Sequence, residues 1–91
     1  MDIVWDREKN KWLKLNRGIS FEEITDIILK DEIIEILKNP NRVDQKYFVI
    51  NMNSYTWVVP FLINDNKQIV LKTAFPSRKF HKIYGDKNEK K

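Results

Sequence analysis

Apolar and polar residues alternate in ways that divide the chain into strands and helices. In chain order the predicted elements are a strand over residues 2–5, a helix over residues 7–16, a helix beginning at Phe21, strands over residues 33–37, 46–52, 55–63 and 68–74, and a basic helix over residues 78–84. The strands are rich in β-branched and aromatic residues, whereas the helices repeat apolar residues every three or four positions. This order predicts an α+β protein.

Capping residues mark the ends of the first two helices. Asp6 is placed to accept backbone N–H groups at the start of the first helix. Gly18 ends that helix, because glycine adopts the left-handed conformation common just past a helix end. Ser20 and Glu23 form a capping box for the second helix.

The spacing of apolar residues predicts which helix faces are buried. In the first helix we expect Trp12 and Leu15, three residues apart, to face inward. The apolar face of the second helix comprises Phe21, Ile24, Ile27 and Ile28.

Short turn sequences connect the four later strands. Asn39-Pro40-Asn41, Asn53-Ser54 and residues 64–67 leave too little chain for parallel crossovers, which favours antiparallel neighbours. Pro60 lacks a backbone donor, so we expect its strand to lie at an edge or to contain a bulge. The predicted fold has an N-terminal strand and two helices packed on one face of an antiparallel β-sheet meander, with a short C-terminal helix.

Composition limits the class of protein. The 91 residues fit one domain, which we place at residues 1–85, with residues 86–91 as a charged flexible tail. The longest apolar run, residues 55–63, is too short to span a membrane, and no signal sequence begins the chain, so we expect a cytoplasmic protein. With no cysteine and one histidine, the chain lacks ligands for a structural zinc site, and we expect neither metal nor cofactor.

Charge is unevenly distributed. Residues 1–17 carry five basic and three acidic residues, residues 18–44 three and seven, and residues 45–91 nine and three. The basic C-terminal half suits a polyanion, and the acidic middle suits a basic partner, although solvated faces also differ in this way.

The C-terminal segment concentrates residues suited to phosphate chemistry. Within residues 69–84 a strand ends at Pro76-Ser77 and leads into a helix that contains Arg78, Lys79, His81 and Tyr84. These side chains can bind phosphate and move protons without a metal ion, which makes RNA the first substrate to consider.

Three segments resemble the BrnT family of bacterial toxins. They are Val4-Trp-Asp-Arg-Glu-Lys9, Arg17-Gly-Ile-Ser-Phe-Glu-Glu23, and Lys72-Thr-Ala-Phe-Pro-Ser-Arg78 with Tyr84 beyond it. The resemblance spans residues 3 to 85. It implies a RelE-like fold, a ribonuclease activity that arrests growth, and neutralisation by a cognate antitoxin, a ribbon-helix-helix dimer that alone contacts DNA.

The match to the family is imperfect near Gly18 and in the last helix. The family places a lysine and a histidine before this glycine, whereas this chain has Asn16 and Arg17. Arginine stays protonated and is a poor general base, although it can bind phosphate. The family's arginine after the last strand corresponds to Arg78, while the acidic residue often found in its final helix is absent.

These considerations give each candidate residue a role in RNA cleavage. Arg78 and Arg17 are expected to bind phosphate and the transition state, with His81 or Tyr84 as the proton-transfer group. Lys79, Lys72 and Lys82 are expected to bind the RNA backbone.

Each candidate also has a structural interpretation. His81 could be a solvated side chain, Tyr84 could pack against Phe80 four residues earlier, and Arg78 could pair with Glu22 or Glu23. Trp5 and Asp6 match the family but are more typical of a core residue and a helix cap.

Two noncatalytic functions compete with the ribonuclease hypothesis. Tyr47, Tyr55, Trp57 and Phe80 could stack on bases in a nucleic-acid-binding module, although the strand aromatics are more simply explained by packing. The apolar sheet and the acidic middle are also compatible with a protein-interaction domain.

Overall fold

The structure is a computed structural model that describes the backbone of residues 2–89 and the side chains of residues 2–85. Its elements are β1 (Ile3–Trp5), α1 (Arg7–Arg17), α2 (Phe21–Leu29), β2 (Glu35–Lys38), β3 (Lys46–Met52), β4 (Tyr55–Ile63), β5 (Ile69–Leu71), β6 (Phe75–Pro76) and α3 (Arg78–Glu89). The predicted α+β class is confirmed. No helix in this part of the chain combines the length and the apolar content needed to cross a bilayer.

One six-stranded sheet organises the molecule. Strands β2 to β5 form the predicted antiparallel meander, and β1 lies beyond β5 as an edge strand. The β1 strand pairs with β5 in parallel, with Ile3 opposite Ile69. This parallel pair was not predicted, because its two strands are far apart in sequence and no short turn connects them. The β3–β4 turn is the expected two-residue hairpin, with positive φ at Asn53 and Ser54.

The predicted caps are confirmed at the two N-terminal helices. The Asp6 carboxylate accepts a hydrogen bond from the Lys9 N–H at 3.0 Å, and Gly18 follows α1 in the left-handed conformation with φ of 65°. Ser20 and Glu23 form the reciprocal capping box of α2.

The inward face of α1 differs from the prediction. Trp12 is 41% exposed and Leu15 is 86% exposed, whereas Leu13 and Asn10 are buried. Two pairs of residues on this helix have a spacing of three, Trp12 with Leu15 and Asn10 with Leu13. The second pair faces inward because the Asn10 amide forms hydrogen bonds with the start of α2, as described below. The prediction for Trp12 and Leu15 was therefore wrong, and the apolar spacing alone could not distinguish the two faces.

Helices cover both faces of the sheet. The buried cluster comprises Leu13, Ile19, Phe21, Ile24, Phe48, Ile50, Met52, Trp57, Val59, Phe61, Leu71 and Ala74. The cluster includes every second residue of β4, namely Trp57, Val59 and Phe61. These side chains all point to the face that α1 and α2 cover. The intervening residues Thr56 and Val58 point to the other face, where Thr56 contacts His81 of α3. The first two helices share one face, as predicted, whereas α3 packs on the second face, where Val49 and Val58 also require cover.

Pro60 interrupts the sheet at its centre. The β4 strand pairs with β3 on one side and with β5 and β6, one after the other, on the other side. The expected edge position of Pro60 was therefore wrong. The Pro60 carbonyl accepts the Lys72 N–H at 2.9 Å, so the missing Pro60 donor faces the same neighbour. The pairing register shifts by one residue between β5 and β6, so a bulge-type irregularity lies opposite Pro60. Its extra residue belongs to the partner strand and not to the Pro60 strand, where it was expected. The predicted strand over residues 68–74 is consequently two short strands.

The C-terminal helix extends further than predicted. It runs to Glu89, so the backbone of residues 86–89 continues the helix begun at Arg78. Lys90 and Lys91, the end of the predicted tail, lie outside the described residues. The division into a domain and a flexible tail stays a prediction.

Asn10 joins α1 to the start of α2. This residue is 6% exposed, and its Oδ1 accepts a hydrogen bond from the Phe21 N–H at 2.8 Å. Its Nδ2 donates to the Glu22 carboxylate at 2.9 Å, and this bond is the main reason that the pKa of Glu22 is lowered. The bond thus favours folding above the ordinary pKa of 4.5, and this contribution is lost as pH falls through the lowered value.

We expect Asn10→Ala to lower the free energy of unfolding by about 1–3 kcal/mol, because the buried Phe21 N–H then has no acceptor. Urea denaturation followed by circular dichroism measures this loss. The matched control is Asn16→Ala, whose exposed amide bonds only the Trp12 carbonyl. Equal stabilities of the two variants would contradict the role assigned to Asn10.

Candidate functional site

Residues 72–78 carry the chain from the sheet into α3. The Ser77 hydroxyl accepts a hydrogen bond from the Phe80 N–H at 3.2 Å, and the Ser77 carbonyl accepts one from the His81 N–H at 2.9 Å. This cap places Arg78 in the first turn of the helix, with its side chain exposed. The unpaired N–H groups of a first turn add positive potential beside the guanidinium group.

The surroundings of Arg78 are basic. Residues 66–85 contain five basic residues and no acidic residue. The alternative that Arg78 pairs with a glutamate of α2 is wrong. The Glu22 carboxylate lies 3.9 Å from Lys14, and Glu23 bonds the Ser20 backbone.

His81 lies one turn after Arg78 and is held by β4. Its Nδ1 is 3.0 Å from the hydroxyl of Thr56, which is fully buried, and its imidazole stacks on the Tyr55 ring with centroids 4.1 Å apart. The ring is half-buried, so the interpretation of His81 as a freely solvated side chain is wrong. A single fixed orientation is what a proton-transfer group requires.

The Thr56 contact has a chemical consequence for the imidazole. A neutral histidine carries its proton on one nitrogen, and the partner of the other nitrogen decides which one. When Nδ1–H donates a hydrogen bond to the Thr56 hydroxyl, Nε2 keeps a free lone pair and can act as a base. After Nε2 takes a proton, Nδ1–H still donates to the same hydroxyl, so the contact is compatible with both the neutral and the protonated ring.

Gly85 makes space for the imidazole. A Cβ atom built at this position would lie 2.9 Å from both Nδ1 and Cε1 of His81, which is closer than side chains approach one another. The absence of a side chain at Gly85, one turn after His81, thus allows the ring to occupy its place between the helix and β4.

Arg17 reaches the same segment from the end of α1. One guanidinium nitrogen donates a hydrogen bond to the Ala74 carbonyl, four residues before Arg78. The guanidinium also lies over the Trp12 ring at 4.8 Å from its centroid, and Lys9 lies over that ring at 4.4 Å. Arg17 is half-buried and keeps donors that the Ala74 carbonyl does not occupy.

The other predicted residues lie around this segment. Tyr84 is half-buried, and its ring packs 6.1 Å from that of Phe80, as the four-residue spacing predicts. Lys72 and Lys82 are exposed, the former at the end of β5 and the latter on α3. Arg17 thus contacts the segment that leads to Arg78, His81 contacts β4, and Tyr84 packs against Phe80 of α3.

A cavity of about 460 Å³ lies between the first turn of α3 and the turn that joins β2 to β3. Its lining includes the side chains of Lys79 and Phe80 from α3 and those of Leu37 and Tyr47 from the two strands. The sequence indicated Lys79 as a backbone-binding residue but gave no sign of this cavity.

Sequence reasoning missed Thr56 and Gly85. Thr56 stands within a long apolar strand and reads as an ordinary β-branched residue. A glycine inside a helix is the one available signal, because glycine is unfavourable there unless packing requires it. The partner that it makes room for could not be read from the chain.

We expect Gly85→Ala to move the His81 ring away from Thr56 and Tyr55 while the fold persists. Alanine favours the helix, and the nearby atoms are those of a side chain that can rotate. Proton NMR measures the change through loss of the nuclear Overhauser contacts between the His81 and Tyr55 rings. Lys82→Ala, at an exposed neighbouring position, should keep those contacts. Their persistence in Gly85→Ala would contradict the packing described for the ring.

Comparison with known proteins places the fold. No family model matches the sequence, and no curated protein matches it. Among solved structures the chain is similar to the ribonuclease toxin BrnT of Brucella abortus, with a TM-score of 0.64 and 16% sequence identity. The match covers 85% of this chain and 96% of that one. The chain therefore has a BrnT-like fold, as the resemblance of its sequence motifs implied.

Proposed function

We propose that this protein is an endoribonuclease toxin of a type II toxin–antitoxin system. The observation that carries the proposal is the start of α3, where Arg78 at a helix N-terminus is followed by a half-buried His81 that Thr56 orients. The BrnT-like fold supports it, because the protein with which the fold is shared is a ribonuclease toxin.

The reaction is a transesterification within the RNA strand. The ribose 2′-hydroxyl attacks the adjacent phosphorus, the bond to the 5′-oxygen breaks, and the products end in a 2′,3′-cyclic phosphate and a 5′-hydroxyl. One proton leaves the 2′-oxygen and one reaches the 5′-oxygen. General acid and base groups contribute about 10²- to 10⁴-fold each to such steps.

Two arginines stabilise the charge that develops on the phosphate. Arg78 offers an exposed guanidinium beside the N–H groups of the first helical turn, and planar guanidinium binds two phosphate oxygens at once. Arg17 is anchored by the Ala74 carbonyl, four residues before Arg78, and its remaining donors can bind phosphate oxygens. It stands where the family has a proton-transfer residue, and here it supplies charge alone.

His81 performs the proton transfer. Its Nδ1 is engaged by Thr56, so Nε2 is the nitrogen available to the RNA. The neutral ring removes the 2′-hydroxyl proton at Nε2, and the protonated ring delivers a proton from Nε2 to the leaving oxygen, while Nδ1–H donates to the Thr56 hydroxyl in both forms. Tyr84, one turn further along α3, is the second candidate for proton donation.

The surrounding lysines bind the RNA backbone. Lys72, Lys79 and Lys82 are exposed on a stretch that lacks acidic residues. Such contacts release counterions from the RNA, and affinity therefore falls steeply as salt is added.

An antitoxin covers this surface and suppresses cleavage. The matching chemistry is an acidic or apolar segment that neutralises the basic stretch around Arg78. The partner is a ribbon-helix-helix dimer, DNA is bound only through that partner, and the toxin acts in the cytoplasm, where messenger RNA is translated.

We expect induced expression of the wild-type chain to arrest growth and degrade RNA, and Arg78→Ala to abolish both effects. Loss of one charge-stabilising group costs about 10²- to 10³-fold in rate. The measurement is culture density together with RNA integrity and soluble protein yield.

Arg7→Ala is the matched control, because Arg7 is an exposed arginine in the first turn of α1. It should arrest growth as the wild type does. Normal growth and intact RNA with abundant folded wild-type protein would count against the ribonuclease and would favour a noncatalytic binding module.

A further inference from the structure

We propose that the cavity beside α3 is a nucleobase-binding pocket that holds one base of the RNA next to the cleaved phosphate. This aromatic pocket is lined by Tyr47, Phe75, Phe80, Leu37 and Pro40, with Lys38 and Lys79. The inference rests on the proposed ribonuclease function for the identity of the strand, although occupancy by a nucleotide can be tested without cleavage.

The shape of the pocket suits a flat ring. Three aromatic side chains contribute to its walls, and its volume of about 460 Å³ lies in the range of small-ligand sites. Bases stack on aromatic side chains in proteins that bind single-stranded RNA. Segments distant in sequence build these walls, since Tyr47 belongs to β3 and Phe75 and Phe80 lie on either side of the α3 cap.

Residues of the turn between β2 and β3 hold the Tyr47 side chain in place through hydrogen bonds. Its hydroxyl lies 3.4 Å from Oδ1 of Asn39, and the same oxygen accepts the Asn41 N–H at 2.9 Å. The Asn39 side chain in turn contacts Gln45, which is buried. This network holds one wall in place before a ligand arrives, which lowers the entropic cost of binding.

The charge of the pocket favours an anion that carries an aromatic ring. Among the side chains that the structure describes, Lys38 and Lys79 are its charged lining residues, and none of the lining side chains is acidic. The Lys79 ammonium lies 5.6 Å from the Phe80 ring centroid, so cationic and aromatic groups are adjacent. A purely apolar partner segment would leave both ammonium groups without a counter-charge, whereas a nucleotide satisfies both.

The position of the pocket connects it to the chemistry. Lys79 directly follows Arg78 in the first turn of α3. A base held against Phe80 therefore places its own phosphate at the start of the helix, where Arg78 is exposed. Such a pocket selects which nucleotide lies beside the cleaved bond.

The test uses the purified 91-residue chain and the four 5′-mononucleotides, with ribose 5-phosphate as the probe that lacks a base. We expect at least one nucleotide to shift the backbone amide resonances of Tyr47 and Phe80 in ¹H–¹⁵N NMR spectra, and ribose 5-phosphate to leave them in place. Phe80→Leu keeps an apolar side chain and should weaken nucleotide binding about tenfold. Lys79→Gln should weaken it as well, while Lys11→Gln on α1 should bind as the wild type does.

Two results would overturn the pocket. The first is an equal response to ribose 5-phosphate, which would reveal a phosphate site without base recognition. The second is no shift of these amides with any of the four nucleotides, which would show that the cavity does not bind a base. If Phe80→Leu does not fold, Lys79→Gln and the comparison of the probes decide the question.

The same experiment separates this inference from the ribonuclease proposal. Cleavage of RNA by a protein whose pocket ignores nucleotides would refute the pocket and leave the enzyme. Base-dependent binding by a protein that cleaves no RNA would support the pocket in a noncatalytic RNA-binding module.

Discussion

The missing backbone donor of Pro60 is the constraint from which the site follows. Pro60 lies in the central strand β4, and its carbonyl accepts the Lys72 N–H, so its nitrogen faces the gap between β5 and β6. A regular partner strand would leave an acceptor without a donor at this point. One extra residue between β5 and β6 interrupts the regular pairing opposite Pro60 and shifts the register of β6 by one residue. The Ala74 carbonyl is then available to Arg17, and Ser77 caps α3.

Polar atoms, rather than apolar contacts alone, decide how the helices are oriented. Asn10 bonds the Phe21 N–H and so fixes which side of α1 faces the sheet. This orientation exposes Trp12, whose ring lies beneath the Arg17 guanidinium, and directs Arg17 toward Ala74. On the opposite face of the sheet, the buried Thr56 hydroxyl meets the His81 imidazole, and Gly85 leaves the necessary space. Arg17 thus reaches the segment that precedes α3, and His81 of α3 packs on β4 from the opposite face of the sheet.

Local features of the sequence could be predicted, and contacts between distant segments could not. Asp6, Gly18 and the Ser20–Glu23 pair act on neighbouring backbone atoms, so their side chains alone indicate where helices begin and end. Short turns likewise determine the meander. Trp12 is exposed because Asn10, on the inward face of α1, forms a hydrogen bond with Phe21 of the next helix. The spacing of apolar residues gives no information about such a polar contact.

The same limit applies to the candidate site. Arg78 could be located because a strand end, a proline and a helix start surround it in sequence. The orientation of His81 depends on Thr56, which is 25 residues away, and the pocket joins β2 and β3 to α3. The orientation of His81 and the pocket both depend on how the strands pack against α3, which the sequence alone does not show. The sequence motifs pointed to the BrnT-like fold as a whole.

The most direct test of the proposed reaction is to replace the attacking group in the RNA. A cleavage site is first mapped on messenger RNA, free and bound to ribosomes, with purified protein. The same RNA is then prepared with a single 2′-deoxynucleotide at the cleaved position. We expect a 2′,3′-cyclic phosphate product from the natural RNA and no cleavage at the deoxy position. Equal cleavage of both RNAs, or no cleavage of either by folded protein, would contradict the proposed reaction.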